Sequence, residues 1–306
     1  MVERIILAGP RGFCAGVDRA IRIVELALEA YGAPVYVKHE IVHNKHVISS
    51  LSGRGAVFVE SLDKIPDGSR VIFSAHGVPP DVRAEASSKG LKVIDATCPL
   101  VTKVHLEAKR YAREGFSIIL VGHKNHVEVI GTSGEAPDAT QVVETVEDAA
   151  RVQVPDAGMV VCLTQTTLSV DDTKKIVDAL KSRFPEIKFP PKEDICYATQ
   201  NRQNAVKQLA QEVELILVIG SGNSSNSNRL AEAARGAGVA SYLVNDESEI
   251  LPEWLKGVKS VGITAGASAP ERLVIGVVDF LKRLGAKTVD ERCFIEENMK
   301  FVMPVV

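Results

Sequence analysis

The chain alternates between short apolar runs and longer segments in which apolar residues recur every three or four positions. Runs of strand length occupy residues 4–9, 34–38, 56–60, 70–75, 91–95, 117–122, 158–164, 214–220, 240–245 and 259–264. Helical periodicity occupies residues 16–32, 100–114, 170–183, 201–213, 227–236 and 270–284. Strands that alternate with helices predict parallel sheets covered by helices, and therefore an α/β fold.

Two local patterns support the predicted helix ends. In residues 16–32, Ile21, Val24 and Leu28 fall on one helical face, and Gly32 provides a natural stop. Ser169 and Asp172 have the spacing of a capping box, which predicts a helix that begins at residue 170.

Composition limits the possible function classes. The chain has 306 residues, of which 45% are hydrophobic and 25% charged, as in ordinary globular proteins of two or three domains. Its net charge of −3 provides no basic field for nucleic acid or an anionic membrane surface. The N-terminus lacks the pattern of a secretion signal, and the apolar runs are too short to span a membrane, so a cytoplasmic location is expected.

Three of the five cysteines occupy similar positions. Cys14, Cys98 and Cys196 each follow a strand-like run and precede a helical segment, at separations of 84 and 98 residues. Three small α/β units would bring three thiolates to one point. Such ligands suit an iron–sulfur cluster, and the lack of a fourth cysteine would leave one metal ion open to a substrate.

The other two cysteines are expected to be small buried hydrophobic residues, Cys162 within an apolar run and Cys293 near the C-terminus. Zinc remains an alternative metal, although paired CxxC spacing is absent.

Polar residues cluster where predicted strands end, and His43, His76 and His126 lie in these clusters. Binding groups collect at the carboxyl ends of parallel strands, so we expect one composite site. The loop at 220–230, GSGNSSNSNRL, follows a strand and precedes a helix, which favours an anion site. A dinucleotide site is the alternative, but Ser225 replaces the third glycine of that motif.

His126 and Glu128 are separated by one residue in a predicted strand-end loop. This pairing places a hydrogen-bond donor and a carboxyl group near the same ligand. It predicts a role in proton delivery.

These strings together resemble the 4-hydroxy-3-methylbut-2-enyl diphosphate reductase family of the methylerythritol phosphate route to isoprenoids. The resemblance extends over essentially the whole chain. In order, the strings are GFCAGV, VHN, AHG, DATCP, GHKNHVEVIGT, TQTT, ICYAT and SSNSNRL. Val127 departs from this pattern, which has proline between the histidine and the glutamate.

The resemblance implies three small parallel-sheet α/β domains in a pseudo-threefold arrangement around a central iron–sulfur cluster. The boundaries expected are 14–97, 98–195 and 196–285, with strand 1–13 completing the third domain. Residues 286–306 would form a C-terminal tail that closes over the site.

The resemblance also implies a [4Fe–4S] cluster held by Cys14, Cys98 and Cys196, with one iron not bound by cysteine. Thr166 and Glu128 would lie near the substrate hydroxyl, and Glu128 would supply the proton, directly or through His126 and the diphosphate. The diphosphate would be bound by His43, His76, His126, Ser224, Ser225, Asn226 and Ser268.

The expected reaction is a two-electron reductive dehydroxylation that yields isopentenyl or dimethylallyl diphosphate. The sequence contains no convincing flavin or nicotinamide site, so an external donor of the ferredoxin or flavodoxin type is expected. Two alternatives stay open. One is another three-cysteine cluster dehydratase, similar to quinolinate synthase, and the other is a non-enzymatic cluster-based redox sensor.

Overall fold

The computed structural model describes residues 2–304, which form three parallel sheets flanked by helices. The strands are β1 (Arg4–Gly9), β2 (Val35–Lys38), β3 (Ala56–Val59), β4 (Arg70–Phe73), β5 (Lys92–Asp95), β6 (Ser117–Val121), β7 (Thr140–Val143), β8 (Val160–Thr164), β9 (Leu215–Ile219), β10 (Ala240–Val244), β11 (Ser260–Ala265) and β12 (Thr288–Cys293). The α-helices are α1 (Ala15–Tyr31), α2 (Lys45–Gly53), α3 (Pro80–Ser88), α4 (Pro99–Arg113), α5 (Val127–Gly134), α6 (Val146–Arg151), α7 (Val170–Arg183), α8 (Tyr197–Leu209), α9 (Ser225–Gly236) and α10 (Glu271–Arg283).

The chain divides into two compact units. The first unit contains the chain up to Val17, His43–Ser49 and Tyr197–Lys300. The second unit contains Asp18–Val42, Ser50–Cys196 and the segment that starts at Phe301.

The first unit is built on a five-stranded parallel sheet with the order β10-β9-β11-β1-β12. Alternate side chains of its strands enter two separate cores. Ile5 packs in the core that includes Val277 of α10, whereas Ile6 packs in the core that includes Leu209 of α8 and Leu230 of α9. The sheet is therefore covered by helices on both faces, which explains why its strands read as nearly continuous apolar runs.

The second unit contains two smaller parallel sheets, with the orders β3-β2-β4-β5 and β7-β6-β8. In the first of these, Val71 and Phe73 of β4 pack with Ala86 of α3. In the second, Ile119 and Ile118 are neighbours in β6 but belong to opposite cores. Each sheet therefore has its own hydrophobic core.

The predicted α/β fold of three small parallel sheets is confirmed. All ten predicted strands and all six predicted helices are present within a few residues of their expected ends. The expected domain boundaries, 14–97, 98–195 and 196–285, remain a prediction. The sequence analysis did not predict six elements: β7, β12, α2, α3, α5 and α6.

Several local expectations can be compared with the backbone. Gly32 follows α1 with a positive φ of 72°, and the Ser169 side chain accepts a hydrogen bond from the Asp172 N–H at the start of α7. β12 lies within the segment expected to be a tail and pairs with β1 in parallel. No helix formed by residues 2–304 is long and apolar enough to cross a membrane.

Candidate active site

Cys14, Cys98 and Cys196 share the same local position. Each is the residue immediately before a helix, at the starts of α1, α4 and α8 respectively. The N–H groups at a helix start carry partial positive charge, which favours anionic sulfur ligands. The sequence pattern of a strand end followed by a helix therefore identified three equivalent helix starts.

The backbone around the three cysteines repeats the same contact. Each cysteine N–H donates to a carbonyl oxygen in the loop that follows a neighbouring strand: Cys14 to Ala267 at 3.3 Å, Cys98 to Ala75 at 2.9 Å and Cys196 to Thr166 at 3.0 Å. These loops carry candidate ligand residues, because Ser268 follows Ala267, His76 follows Ala75, and Thr166 is itself a candidate. Backbone pairing thus ties each cysteine to a predicted binding residue.

The five cysteines differ in exposure. Cys14, Cys98 and Cys196 are partly exposed and form no disulfide. Cys162 is buried as expected, and burial raises the pKa of its thiol to about 12, so it stays protonated and inert. The expectation for Cys293 was wrong: it is exposed, because it ends β12 at the edge of the sheet rather than entering a core.

A buried arginine that the sequence analysis did not single out supports the loop before Cys14. Gly12 has a positive φ of 67°, which only glycine adopts without strain. The Arg202 guanidinium donates to the Gly12 carbonyl at 2.9 Å and forms an ion pair with Glu297 at 3.0 Å. Arg202 is only 1% exposed. A buried charge is tolerated only when it is paired. The hydrogen bond to Gly12 and the ion pair with Glu297 therefore stabilise the buried guanidinium, and they hold the loop before Cys14 in place.

Glu128 is the one acidic residue among the predicted site residues, and it is buried. It lies in the first turn of α5, not in a loop as the sequence predicted, because the His126 side chain caps this helix by accepting from the Glu128 N–H at 3.2 Å. One Glu128 oxygen accepts from the Thr166 N–H at 2.6 Å, and the other lies 3.0 Å from the Thr166 hydroxyl. The three predicted residues are therefore in direct contact.

Burial raises the pKa of Glu128 to about 7, although its two hydrogen bonds with Thr166 act in the opposite direction. A carboxyl group with this pKa holds a transferable proton near neutral pH. Because His126 Nδ1 accepts a hydrogen bond, the imidazole is neutral and carries its proton on Nε2. Both groups are thus suited to donate protons or hydrogen bonds.

Three histidines of the second unit, His39, His76 and His126, form a short row. The rings of His76 and His126 are 6.1 Å apart, and those of His39 and His76 are 6.0 Å apart, all edge to face. His39, which the sequence analysis did not select, follows β2 with a φ of 62° and contacts Glu60 at 2.9 Å. Its position directly after a strand was the signal that could have identified it.

In the first unit, the predicted anion-binding residues contact one another. The Ser268 hydroxyl donates to the His43 carbonyl at 2.8 Å, and the Asn226 side chain accepts from the Ala267 N–H at 2.9 Å. Ser224 caps α9, where its hydroxyl accepts from the Ser227 backbone N–H. Ser225 is partly exposed as the first residue of α9. Asn226 therefore holds the loop to which Cys14 is bonded, a role that spacing alone did not indicate.

His105 of α4 links the loop that follows His76 to helix α5. Its imidazole packs against Gly77 and Gly131, and a Cβ built on Gly131 would lie 3.2 Å from the ring. Glu135 accepts from its Nδ1 at 2.8 Å, while burial lowers the pKa of His105 and keeps it neutral. His105 thus fixes the loop after His76 against the helix that contains Glu128.

The residues present fit an iron–sulfur cluster. Three partly exposed thiols stand at helix starts, and sulfur is the ligand that such clusters require. The environments of these three thiols differ from that of Cys162, whose thiol is buried and has a pKa of about 12.

The whole chain is similar to known proteins. The family model described as LytB protein matches residues 5–282. Curated relatives named 4-hydroxy-3-methylbut-2-enyl diphosphate reductase include those of Ralstonia nicotianae, at 57% identity over 98% of this chain and 93% of the relative, and Bordetella pertussis, at 58% identity over 98% and 92%.

Two solved structures are also similar. The E-1-hydroxy-2-methyl-but-2-enyl-4-diphosphate reductase from Plasmodium falciparum has a TM-score of 0.95 and 42% identity, covering 99% of this chain and 96% of that one. A second structure, of (E)-4-hydroxy-3-methyl-but-2-enyl diphosphate reductase, has a TM-score of 0.65 and 38% identity over 92% of this chain and 100% of that one. The chain therefore belongs to the LytB protein family and is an oxidoreductase.

Proposed function

We propose that this chain reduces 4-hydroxy-3-methylbut-2-enyl diphosphate to isopentenyl and dimethylallyl diphosphate. The allylic C–O bond breaks, the oxygen leaves as water, and carbon gains a hydrogen. Two electrons and two protons are consumed for each substrate. Protonation at one or the other end of the allylic system gives the two products.

In this proposal Cys14, Cys98 and Cys196 are the ligands of a [4Fe–4S] cluster. When bound, the cluster supplies electrons one at a time and an iron without a cysteine ligand, which acts as a Lewis acid on the C–O bond. The cysteines hold their sulfur atoms at helix starts, and Arg202 and Asn226 keep the loops around Cys14 in place.

One observation carries the proposal: a continuous series of contacts joins two of the candidate ligands through the candidate acid. Thr166 accepts from the Cys196 N–H and contacts Glu128, which bonds to His126. The His126 ring contacts His76, whose neighbour Ala75 accepts from the Cys98 N–H. These contacts support the proposal that Glu128 delivers a proton to the substrate hydroxyl, directly or through the Thr166 hydroxyl.

The diphosphate is assigned to neutral donors: the side chains of His43, His76, His126, Ser224, Ser225, Asn226 and Ser268. A neutral His126 with its proton on Nε2 can donate to an anionic oxygen. The start of α9 adds backbone N–H groups.

The electrons are assigned to an external carrier protein of the ferredoxin or flavodoxin type. An external source follows from the electron balance, since each substrate consumes two electrons, and the type of carrier is a prediction from the sequence. Cytoplasmic location remains a prediction from the sequence.

The test is an anaerobic assay of protein reconstituted with iron and sulfide. Dithionite with methyl viologen provides electrons, and mass spectrometry identifies the products. We expect loss of substrate, formation of both diphosphates and oxidation of two viologen radicals per turnover. Absence of turnover by protein with a full cluster would overturn the proposal, and water loss without electron consumption would indicate a dehydratase instead.

A further inference from the structure

The exposed side of α4 borders a cleft of about 620 Å³ in the second unit. Arg19, Lys103 and Arg110 line it together with two acids, Asp95 and Glu107. Arg19 donates to the carbonyl oxygens of residues 96 and 97 at 3.3 and 3.1 Å, so the wall next to the start of α4 is fixed.

The charge of this face is opposite in sign to that of the whole chain. α4 contains four cations and one acid, a net charge of +3, whereas the chain has −3. Its acid, Glu107, carries only part of a negative charge at neutral pH, because burial raises its pKa to about 7. Arg110 and Arg113 are exposed in the last turn of the helix. Lys103 and Lys109 are paired with Asp194 and Glu135, and Arg110 lies 3.8 Å from Glu114, so the exposed positive charge of this face is concentrated at Arg110 and Arg113.

An apolar side chain lies within the basic residues. Leu106 lines the cleft and is 60% exposed, although the same helix buries Val101, Val104 and Ala108. Protein interfaces commonly combine a central apolar contact with a charged rim. Here Leu106 is the central apolar residue, and the cations around it form the charged rim.

The cleft is directly beside a proposed cluster ligand. Thr97 and Pro99, the neighbours of Cys98 on either side, both line it. A carrier protein seated here would bring its redox group close to the Cys98 sulfur, and electron transfer is fastest over short distances.

We propose that this cleft and the exposed face of α4 form the docking surface for an acidic electron-carrier protein. The inference rests on the proposed function, since it names the partner that supplies the two electrons. The carrier's acidic side chains pair with Arg110 and Arg113, and an apolar group contacts Leu106. Long-range attraction between the charges guides the two proteins together.

The experiment compares two double variants that change the net charge equally. Arg110→Glu with Arg113→Glu reverses the docking surface, and Lys282→Glu with Arg283→Glu reverses two exposed cations in the last turn of α10 in the first unit. Turnover of reconstituted enzyme is measured with a reduced acidic flavodoxin and, separately, with dithionite and methyl viologen.

For the α4 variant we expect kcat/KM for flavodoxin to fall by about 10- to 100-fold at low ionic strength, with weaker salt dependence than in the wild type. Its turnover with dithionite and viologen should remain at the wild-type level. The α10 variant should match the wild type with both donors. Leu106→Ala should also raise KM for flavodoxin without affecting the chemical donor.

Several outcomes would overturn this surface. Unchanged flavodoxin kinetics in the α4 variant would exclude it, as would an equal loss in the α10 variant. A loss with both donors would show that the face serves folding or substrate binding. If the wild type itself fails with dithionite and viologen, the proposed function fails, which is distinct from these results.

Discussion

At the scale of single residues, Glu128 can be buried because Thr166 forms a hydrogen bond with each of its two carboxyl oxygens. A buried carboxylate without partners would be costly, and two hydrogen bonds from one residue reduce that cost. Even with these hydrogen bonds, burial raises the pKa of Glu128 to about 7. The burial that disfavours a charged carboxylate therefore also keeps a transferable proton on Glu128 near neutral pH.

Replacing Glu128 by glutamine tests that role directly. Glutamine can accept from the Thr166 N–H and donate to its hydroxyl, so the local structure should persist, but no transferable proton remains. We expect kcat to fall by about 10²- to 10⁴-fold with substrate affinity nearly unchanged. Steady-state kinetics with dithionite and viologen measure this, and near wild-type turnover would transfer the role to His126 or the diphosphate.

The pH dependence of the wild type follows from the same group. In the proposed function Glu128 is the acid, so its protonated form is the active one, and that form is lost as pH rises through about 7. We expect kcat to decrease about tenfold per pH unit above this value. The slow residual activity of Glu128→Gln should lack the decrease. A pH profile measured with the chemical donor checks this, and an identical profile in both proteins would contradict it.

At the level of helices and loops, small residues allow close packing around His105. The second unit needs Gly77 at a φ of 78° and Gly131 within a helix so that the imidazole fits between them. Glu135 then orients the ring from the other side, with Lys109 2.7 Å from its second oxygen. These contacts determine where α5, and hence Glu128, lies relative to the loop that carries His76.

Substitution of Gly131 by alanine should disturb this packing. Alanine normally favours a helix over glycine by up to about 1 kcal/mol, but here its methyl group would press on His105. We expect a net destabilisation of about 1 to 3 kcal/mol, the usual cost of overpacking. Gly236→Ala, at a helical glycine with no atom within 4 Å, is the control and should be neutral or stabilising. Denaturant unfolding measures both, and equal stability of the two variants would argue against the contact.

At the scale of the whole molecule, the proposed cluster ligands come from distant parts of the chain, so cluster content should depend on the complete fold. We expect Cys98→Ser to lose most of the iron and sulfide found in the wild type after anaerobic reconstitution. Cys162→Ser should retain them, because Cys162 is a buried, protonated thiol. Iron and sulfide analysis with electron paramagnetic resonance measures this. A full cluster in Cys98→Ser, or its loss in Cys162→Ser, would refute the assignment.

The sequence by itself determined the elements that depend on local pattern. β9 is apolar throughout because both faces of its sheet are covered, and α10 has a clear apolar stripe. The three cysteines, Glu128 and the strand-end histidines stood out because strands end in loops that carry chemistry. β7 and α6 were missed because each buries a single side chain, Val143 and Ala149 respectively, and so lacks a sustained apolar run or stripe.

Only the tertiary structure decided which of these residues are in contact and what each contact does. The position of Cys293 depended on pairing between β12 and β1, whose residues are more than 280 positions apart in the chain. Arg202 and His105 had no local pattern, since their partners lie on distant loops. The pKa of Glu128 likewise depends on burial and on Thr166, 38 residues away. Local physics selects helices and strands, whereas contacts between distant segments set charge, burial and reactivity.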